Sequence, residues 1–229
     1  MNVLKVSMQP YSGLCNRLWV LFSYYNYAIK NNLKLQICWL TNSVCDAHFL
    51  DFFKPLINVE FINEDKQCDV YTHLWHKDYN PYYTYIYQDL ELNDSMTDLI
   101  KTLNWWSSNY NAIHVRSTID FINDLPLRGL KNMEFSMFDG FINTSNLPCF
   151  LASDKHTTQQ YFTLKYTNLF YYNTIQLKDD IHNVRHTDIQ HAIIDLVSCV
   201  KAKRFLGTPH SSFSATINTL RRNKTRLLF

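Results

Sequence analysis

Val3-Leu4-Lys5-Val6-Ser7-Met8 is a short apolar run followed by a loop, Pro10 to Cys15, and it reads as a buried strand. Leu18, Leu21, Phe22, Tyr25 and Ile29 then recur at three- and four-residue spacing. That period predicts a helix through Ile29, capped by Asn16 and stopped by Asn31-Asn32. Leu33 to Trp39 reads as a second strand. A β-loop-α-β opening of this kind begins a doubly wound α/β fold.

The pattern is weaker over residues 40–91. Asp46 to Phe53 suggests a short helix, Val59 to Ile62 a strand, and Tyr79 to Tyr87 an irregular stretch with no clean period. Asn93 or Asp94 caps a predicted helix running to about Trp106. A second block follows. Strands are expected at Ala112 to Arg116, Pro148 to Ser153, Leu169 to Tyr172 and Arg204 to Thr208. Helices are expected at Asn132 to Ile142, Thr157 to Tyr166, His186 to Lys201, and from Ser211 to about Arg222. The alternation implies parallel sheets with helices on both faces, in two domains, 1–106 and 107–229.

Composition narrows the class. With 46% hydrophobic and 18% charged residues among 229, the chain can bury a core, which excludes wholesale disorder. A net charge of +2 lacks the basic clusters of a nucleic-acid binder. The most basic stretch, Arg221 to Arg226, reads as a solvated helix end. Six cysteines form no CxxC pair, there is no leader-like apolar start, and no run of ~18 apolar residues occurs. The expectation is a cytoplasmic chain with reduced thiols and no transmembrane segment, in which Cys38 and Cys149 are core residues.

In open α/β sheets ligands bind beyond the carboxyl ends of the strands, so polar groups at those ends carry the candidate chemistry. Gly13-Leu14-Cys15-Asn16-Arg17-Leu18 offers helix-start amides and a guanidinium to an anion, or is an ordinary turn with Asn16 as cap. His114 and Arg116 share one face of a strand. Arg116 can grip a phosphate bidentately and His114 can bond a base or sugar; the plainer alternative is a core histidine and an ion-paired arginine. Ser211-Ser212-Phe213-Ser214 supplies hydroxyls and amides suited to a diphosphate, or simply caps a helix. Asp195 lies among apolar neighbours and needs a partner if buried. Asp120 and Asp124, in the loop after Arg116, are candidate general bases. Asp154 ends another strand, as a site residue or a helix cap. DxD, HExxH, GxGxxG, GxSxG and P-loop patterns are all missing from the sequence.

In this order the motifs resemble the fucosyltransferase superfamily of core α1,6-, bacterial nodulation and protein O-fucosyltransferases. The Gly13 to Leu18 turn is similar to that group's Gly-Asn-Arg/Gln loop, and His114-Val115-Arg116 to its HxR motif. Leu151-Ala152-Ser153-Asp154 resembles its strand ending in Ala-Thr/Ser-Asp, and Asp195 through Ser214 its last motif. The resemblance implies a GT-B-like α/β fold of two small Rossmann-like domains whose parallel sheets face a cleft. The N-terminal domain would be the acceptor side and the C-terminal one would bind the nucleotide sugar. It implies an inverting, metal-independent glycosyltransferase, with GDP-fucose as donor, a glycan as acceptor and no further cofactor. Arg116 would hold the β-phosphate, His114 and Asp195 would contact guanine, Ser211 and Ser212 would bind phosphate at their helix start, and Phe213 would be a further donor contact. Gly13, Asn16, Arg17 and Asp154 complete the expected donor contacts. Asp124 stands at the spacing of the proposed base of the α1,6 enzymes, while Asp120 replaces a basic residue of theirs. Two other readings share these motifs: a different nucleotide-sugar donor, or an inactive nucleotide- or sugar-binding protein.

Overall fold

The computed structural model describes residues 2–64, 67–117, 135–173, 187–222 and 227. The chain divides into two compact units, Met1–Leu99 with Thr219–Phe229, and Ile100–Asn218.

The first unit holds strands β1 (Val3–Met8), β2 (Lys34–Cys38), β3 (Val59–Ile62) and β4 (Val70–Thr72) in an all-parallel sheet of order β3-β2-β1-β4. Helix α1 (Leu14–Lys30) crosses from β1 to β2. Leu18, Val20, Leu21 and Phe22 are wholly buried along it, whereas Ile29, expected on the inner face, is half exposed. Its end follows the expected stop. Asn32 takes a left-handed φ of 50°, which asparagine tolerates, and Leu33 N–H returns to the Ala28 carbonyl at 2.9 Å. Its start does not follow the expectation. Gly13, not Asn16, is the N-cap, and the Arg17 N–H closes the first turn on the Gly13 carbonyl at 3.0 Å. Starting the helix there buries Leu14 and Cys15. Asn16 is thus a first-turn residue rather than the cap.

Two further differences have packing causes. The helix expected over Asp46 to Phe53 is a single 3-10 turn, Phe49–Asp51. There Phe49 stacks on Phe53 and Phe61 and meets Trp39 edge-on, so ring packing takes the place of further helical turns. The helix expected from Asn93 to Trp106 is α2 (Asp94–Lys101), and short turns follow it. Asn93 caps it, its side-chain oxygen accepting the Met96 N–H at 2.9 Å.

The second unit holds β5 (Asn111–His114), β6 (Cys149–Ala152), β7 (Leu169–Phe170) and β8 (Phe205–Gly207), parallel throughout, in the order β7-β6-β5-β8. Between and after them come α3 (Ser136–Asn143), α4 (His156–Lys165), α5 (Ile189–Lys201) and α6 (Ser212–Arg222). Counting strands from the start of each unit, the two sheets have the same order. Ile113, Val115, Phe138, Ile142, Leu151 and Phe162 form one core cluster. Helix α5 packs on β5 and β6 and buries Ile193, Leu196 and Val197. Cys38 and Cys149 are buried in the core, and burial pushes the Cys149 thiol up to about 12.

Candidate functional site

In the second sheet β6 and β7 lie on one side of β5 and β8 on the other. The winding direction therefore reverses between β5 and β8, and it is beyond the carboxyl ends at such a switch point that open α/β sheets bind ligands. His114 pairs with Gly207 across this junction. One residue further, Thr208 ties the strands together. Its N–H and Oγ1 both donate to the His114 carbonyl, at 2.9 and 2.8 Å, and its Oγ1 accepts the Arg116 N–H at 2.9 Å. The backbone that carries Arg116 is thus fixed by a buried hydroxyl, while the Arg116 side chain is half-buried.

The chain then turns through His210, at a left-handed φ of 61°, into α6. Ser211 is the N-cap, 2% exposed, and its Oγ accepts the Ser214 N–H at 3.5 Å. Ser214 Oγ meets His114 Nδ1 at 2.7 Å, and the Phe213 ring lies over the His114 ring at 4.7 Å between centroids. His114 is 5% exposed. Burial first, and the Arg116 guanidinium second, pull its pKa down to about 3, so at neutral pH it is an uncharged hydrogen-bonding ring. Gly207 is required by space: a Cβ there would stand 2.5 Å from Ser214 Oγ and 2.6 Å from Ser214 Cβ. The expected motifs His114–Arg116 and Ser211–Phe213 therefore meet at one place, joined by Thr208 and Ser214.

Next to it, beyond the carboxyl end of β6, Ser153 donates its Oγ to the Val115 carbonyl at 3.0 Å, and Gln159 Nε2 bonds the Ser153 carbonyl at 3.2 Å. Asp195 reaches this end from α5 and accepts the Ser153 backbone N–H. Its carboxylate is 4% exposed, and its Oδ2 lies 3.4 Å from Nε2 of His191, itself 1% exposed. Burial holds the Asp195 carboxyl above its ordinary value despite the attraction of His191. Asp154 follows β6, but Lys155 is the N-cap of α4, so Asp154 is not the cap. Its charge is one of those that act on His191.

Gly13, Asn16 and Arg17 belong to the first unit. Arg17 is only 1% exposed. Its Nε donates to the Ser12 carbonyl at 2.8 Å and its guanidinium to the Leu40 carbonyl at 2.6 Å, over the Trp39 ring. It clamps the loops after β1 and β2. Asp120 and Asp124 lie outside the described residues.

Sequence reasoning did not single out Thr208 or His191 as site residues, and it named Ser153 and Ser214 only as members of their motifs. For His191 a signal existed, because it stands four residues before Asp195 on a helix and so shares its face. Among the described residues no cluster of three or more His, Cys, Asp or Glu side chains could hold a metal ion, and no helix is long and apolar enough to cross a membrane.

No family model and no curated protein matches the sequence. Solved structures do match. NodZ α-1,6-fucosyltransferase soaked with GDP-fucose aligns with a TM-score of 0.63 at 14% identity, over 96% of this chain and 93% of that one. Fucosyltransferase NodZ from Bradyrhizobium gives 0.61 at 15%, over 95% and 92%. POFUT1 in complex with GDP-fucose gives 0.56 at 11%, over 98% and 96%. The fold is that of these fucosyltransferases. Because the likeness runs through nearly the whole of each chain, it takes in both α/β units rather than one sheet alone.

Proposed function

We propose that this protein is an inverting glycosyltransferase that moves L-fucose from GDP-fucose to a hydroxyl of a glycan acceptor without a metal ion. One observation carries the reading. His114, Arg116 and the start of α6 converge at the switch point between β5 and β8, where an open α/β sheet takes its ligand. The solved structures of like fold include NodZ soaked with GDP-fucose and POFUT1 in complex with it, which supports this donor.

The chemistry asks for little more. As the sugar C1–O bond to the diphosphate breaks, negative charge builds on the leaving GDP. Arg116 and the amides at the start of α6 meet that charge, whose stabilisation lowers the barrier. The acceptor oxygen attacks C1 from the opposite face, forming the new glycosidic bond, and its proton passes to a carboxylate. We assign that base to Asp124, with Asp120 as the alternative. His114, neutral at the working pH, presents a hydrogen bond to the donor rather than a charge. Asp195 reads the base, Ser211 and Ser212 bind phosphate, and Phe213 packs on the His114 ring.

The test is transfer by purified protein, with GDP-fucose and other nucleotide sugars against a glycan panel, with and without EDTA. Fucose transfer unchanged by EDTA is expected. Transfer only from another nucleotide sugar would replace the donor. Absence of nucleotide binding by calorimetry in a folded sample would overturn the reading.

A further inference from the structure

The two oxygens of the Asp195 carboxylate have different surroundings. Oδ2 faces His191 Nε2 at 3.4 Å, four residues back on α5. Oδ1 has no hydrogen-bond partner among the described residues, although Asp195 is 4% exposed. A buried carboxylate oxygen left without a donor costs stability, and proteins keep such groups where a ligand completes them. The network around the carboxylate leads toward the switch point: Ser153 N–H to Asp195, Ser153 Oγ to the Val115 carbonyl, and then Arg116.

We infer that His191 is a positioning residue for the donor base: it holds Asp195 through Oδ2 so that Oδ1 accepts hydrogen bonds from the donor-rich edge of a guanine. The inference rests on the proposal that the donor is a GDP-sugar. His191 is suited to the role on three counts. It is 1% exposed, and its own backbone N–H is held by the Asp188 carboxylate at 2.7 Å. Its ring meets Tyr172, beyond β7, at 5.3 Å between centroids and is thereby braced from the other side. The titratable groups that face it among the described residues are Asp188 and Asp195 on α5, Asp154 after β6, and Tyr172. Burial alone would pull its pKa down, but attraction to the Asp195, Asp188 and Asp154 carboxylates outweighs this and raises it. His191 thus acts against the burial that raises the Asp195 carboxyl, favouring its acceptor form through the 3.4 Å contact at Oδ2.

The exocyclic amino group of guanine is absent from inosine, so the preference for GDP over IDP reads the Asp195 contact directly. Calorimetry on the full chain compares wild type, His191→Phe, His191→Gln and Asp195→Asn. Wild type should prefer GDP by about tenfold or more, the scale of a lost hydrogen bond to a charged group. His191→Phe keeps a ring against Tyr172 but should lose the preference. His191→Gln, with a donor at similar reach, should regain most of it, which a merely structural role would not produce. If His191→Phe does not fold, the imidazole resonances of His191 in wild type carry the test: saturation with GDP should shift them more than saturation with IDP. A folded His191→Phe with the wild-type preference, or His191 resonances that GDP leaves unmoved, overturns the inference. Equal wild-type affinity for GDP and IDP overturns it too, while leaving a nucleotide-sugar site standing. Failure of wild type to bind either nucleotide sinks the donor reading itself.

Discussion

Gly207→Ala is a one-methyl change at the point where β8 hands over to α6. The added Cβ would stand 2.5 Å from Ser214 Oγ, 2.6 Å from Ser214 Cβ and 2.9 Å from Phe205 Cζ, where ordinary contacts run from 3.4 to 4 Å. The phenylalanine ring tip can turn aside. Ser214 Cβ cannot, because it is fixed to the helix backbone, so relief requires α6 to move from β8 by most of an ångström. Overpacking of this kind costs about 1–3 kcal/mol. The same movement pulls Ser214 Oγ from its 2.7 Å contact with His114 Nδ1 and strands a buried ring nitrogen. That adds about 1–3 kcal/mol if no other partner takes its place. For a chain of this size each kcal/mol lowers Tm by about 2–4 °C. Thermal and urea unfolding should therefore show a clear loss, and GDP binding should weaken with it. Ser214→Gly removes both clashing serine atoms, so Gly207→Ala should cost much less in that background than in wild type. Equal costs in the two backgrounds, or a single variant within about 0.5 kcal/mol of wild type, would refute the reasoning.

Two further outcomes are expected. Unfolded His114 takes up a proton near its ordinary 6.5, whereas folded His114 does not until about 3. Its contribution to stability is thus constant above pH 6.5 and falls as the pH drops from there toward 3, by about 2 kcal/mol at pH 5. Urea unfolding at pH 7.5 and pH 5 checks this: the acid-induced loss should shrink by about that amount in His114→Gln. Arg116→Ala should lower kcat for fucose transfer by at least about a hundredfold, the scale of a lost transition-state contact, while the fold stays intact by circular dichroism. An unchanged kcat would remove Arg116 from the chemistry.

The regular part of the fold was legible because its signals are local. Apolar runs of strand length, a 3.6-residue period over Leu18 to Tyr25, and Asn31-Asn32 as a stop marked β1, α1 and β2. The second block was legible for the same reason, with strand ends displaced by a residue or two. β4 was not: it is three residues long, Tyr71 on it is exposed, and only pairing with β1 makes it a strand. The helix expected at Asp46 to Phe53 failed for a related reason, since its apolar spacing serves a cluster of rings contributed from elsewhere in the chain.

For the site the division is sharper. Residue types along the chain were enough to nominate His114, Arg116, Asp195 and Ser211–Phe213, because their chemistry and their place, at strand ends or for Asp195 among apolar helical neighbours, are written locally. What each does depended on neighbours far away in sequence. Thr208 bonds Arg116 across 92 positions, Ser214 bonds His114 across 100, and Leu40 helps turn Arg17 into a buried clamp. Parallel pairing is what makes these contacts, since β5 lies beside β8 although the chain runs through β6 and β7 between them. The sequence by itself determined which groups could bind an anion or a base. The tertiary structure decided which of them stand together and which are neutral, because burial and pairing act only once the sheet has closed.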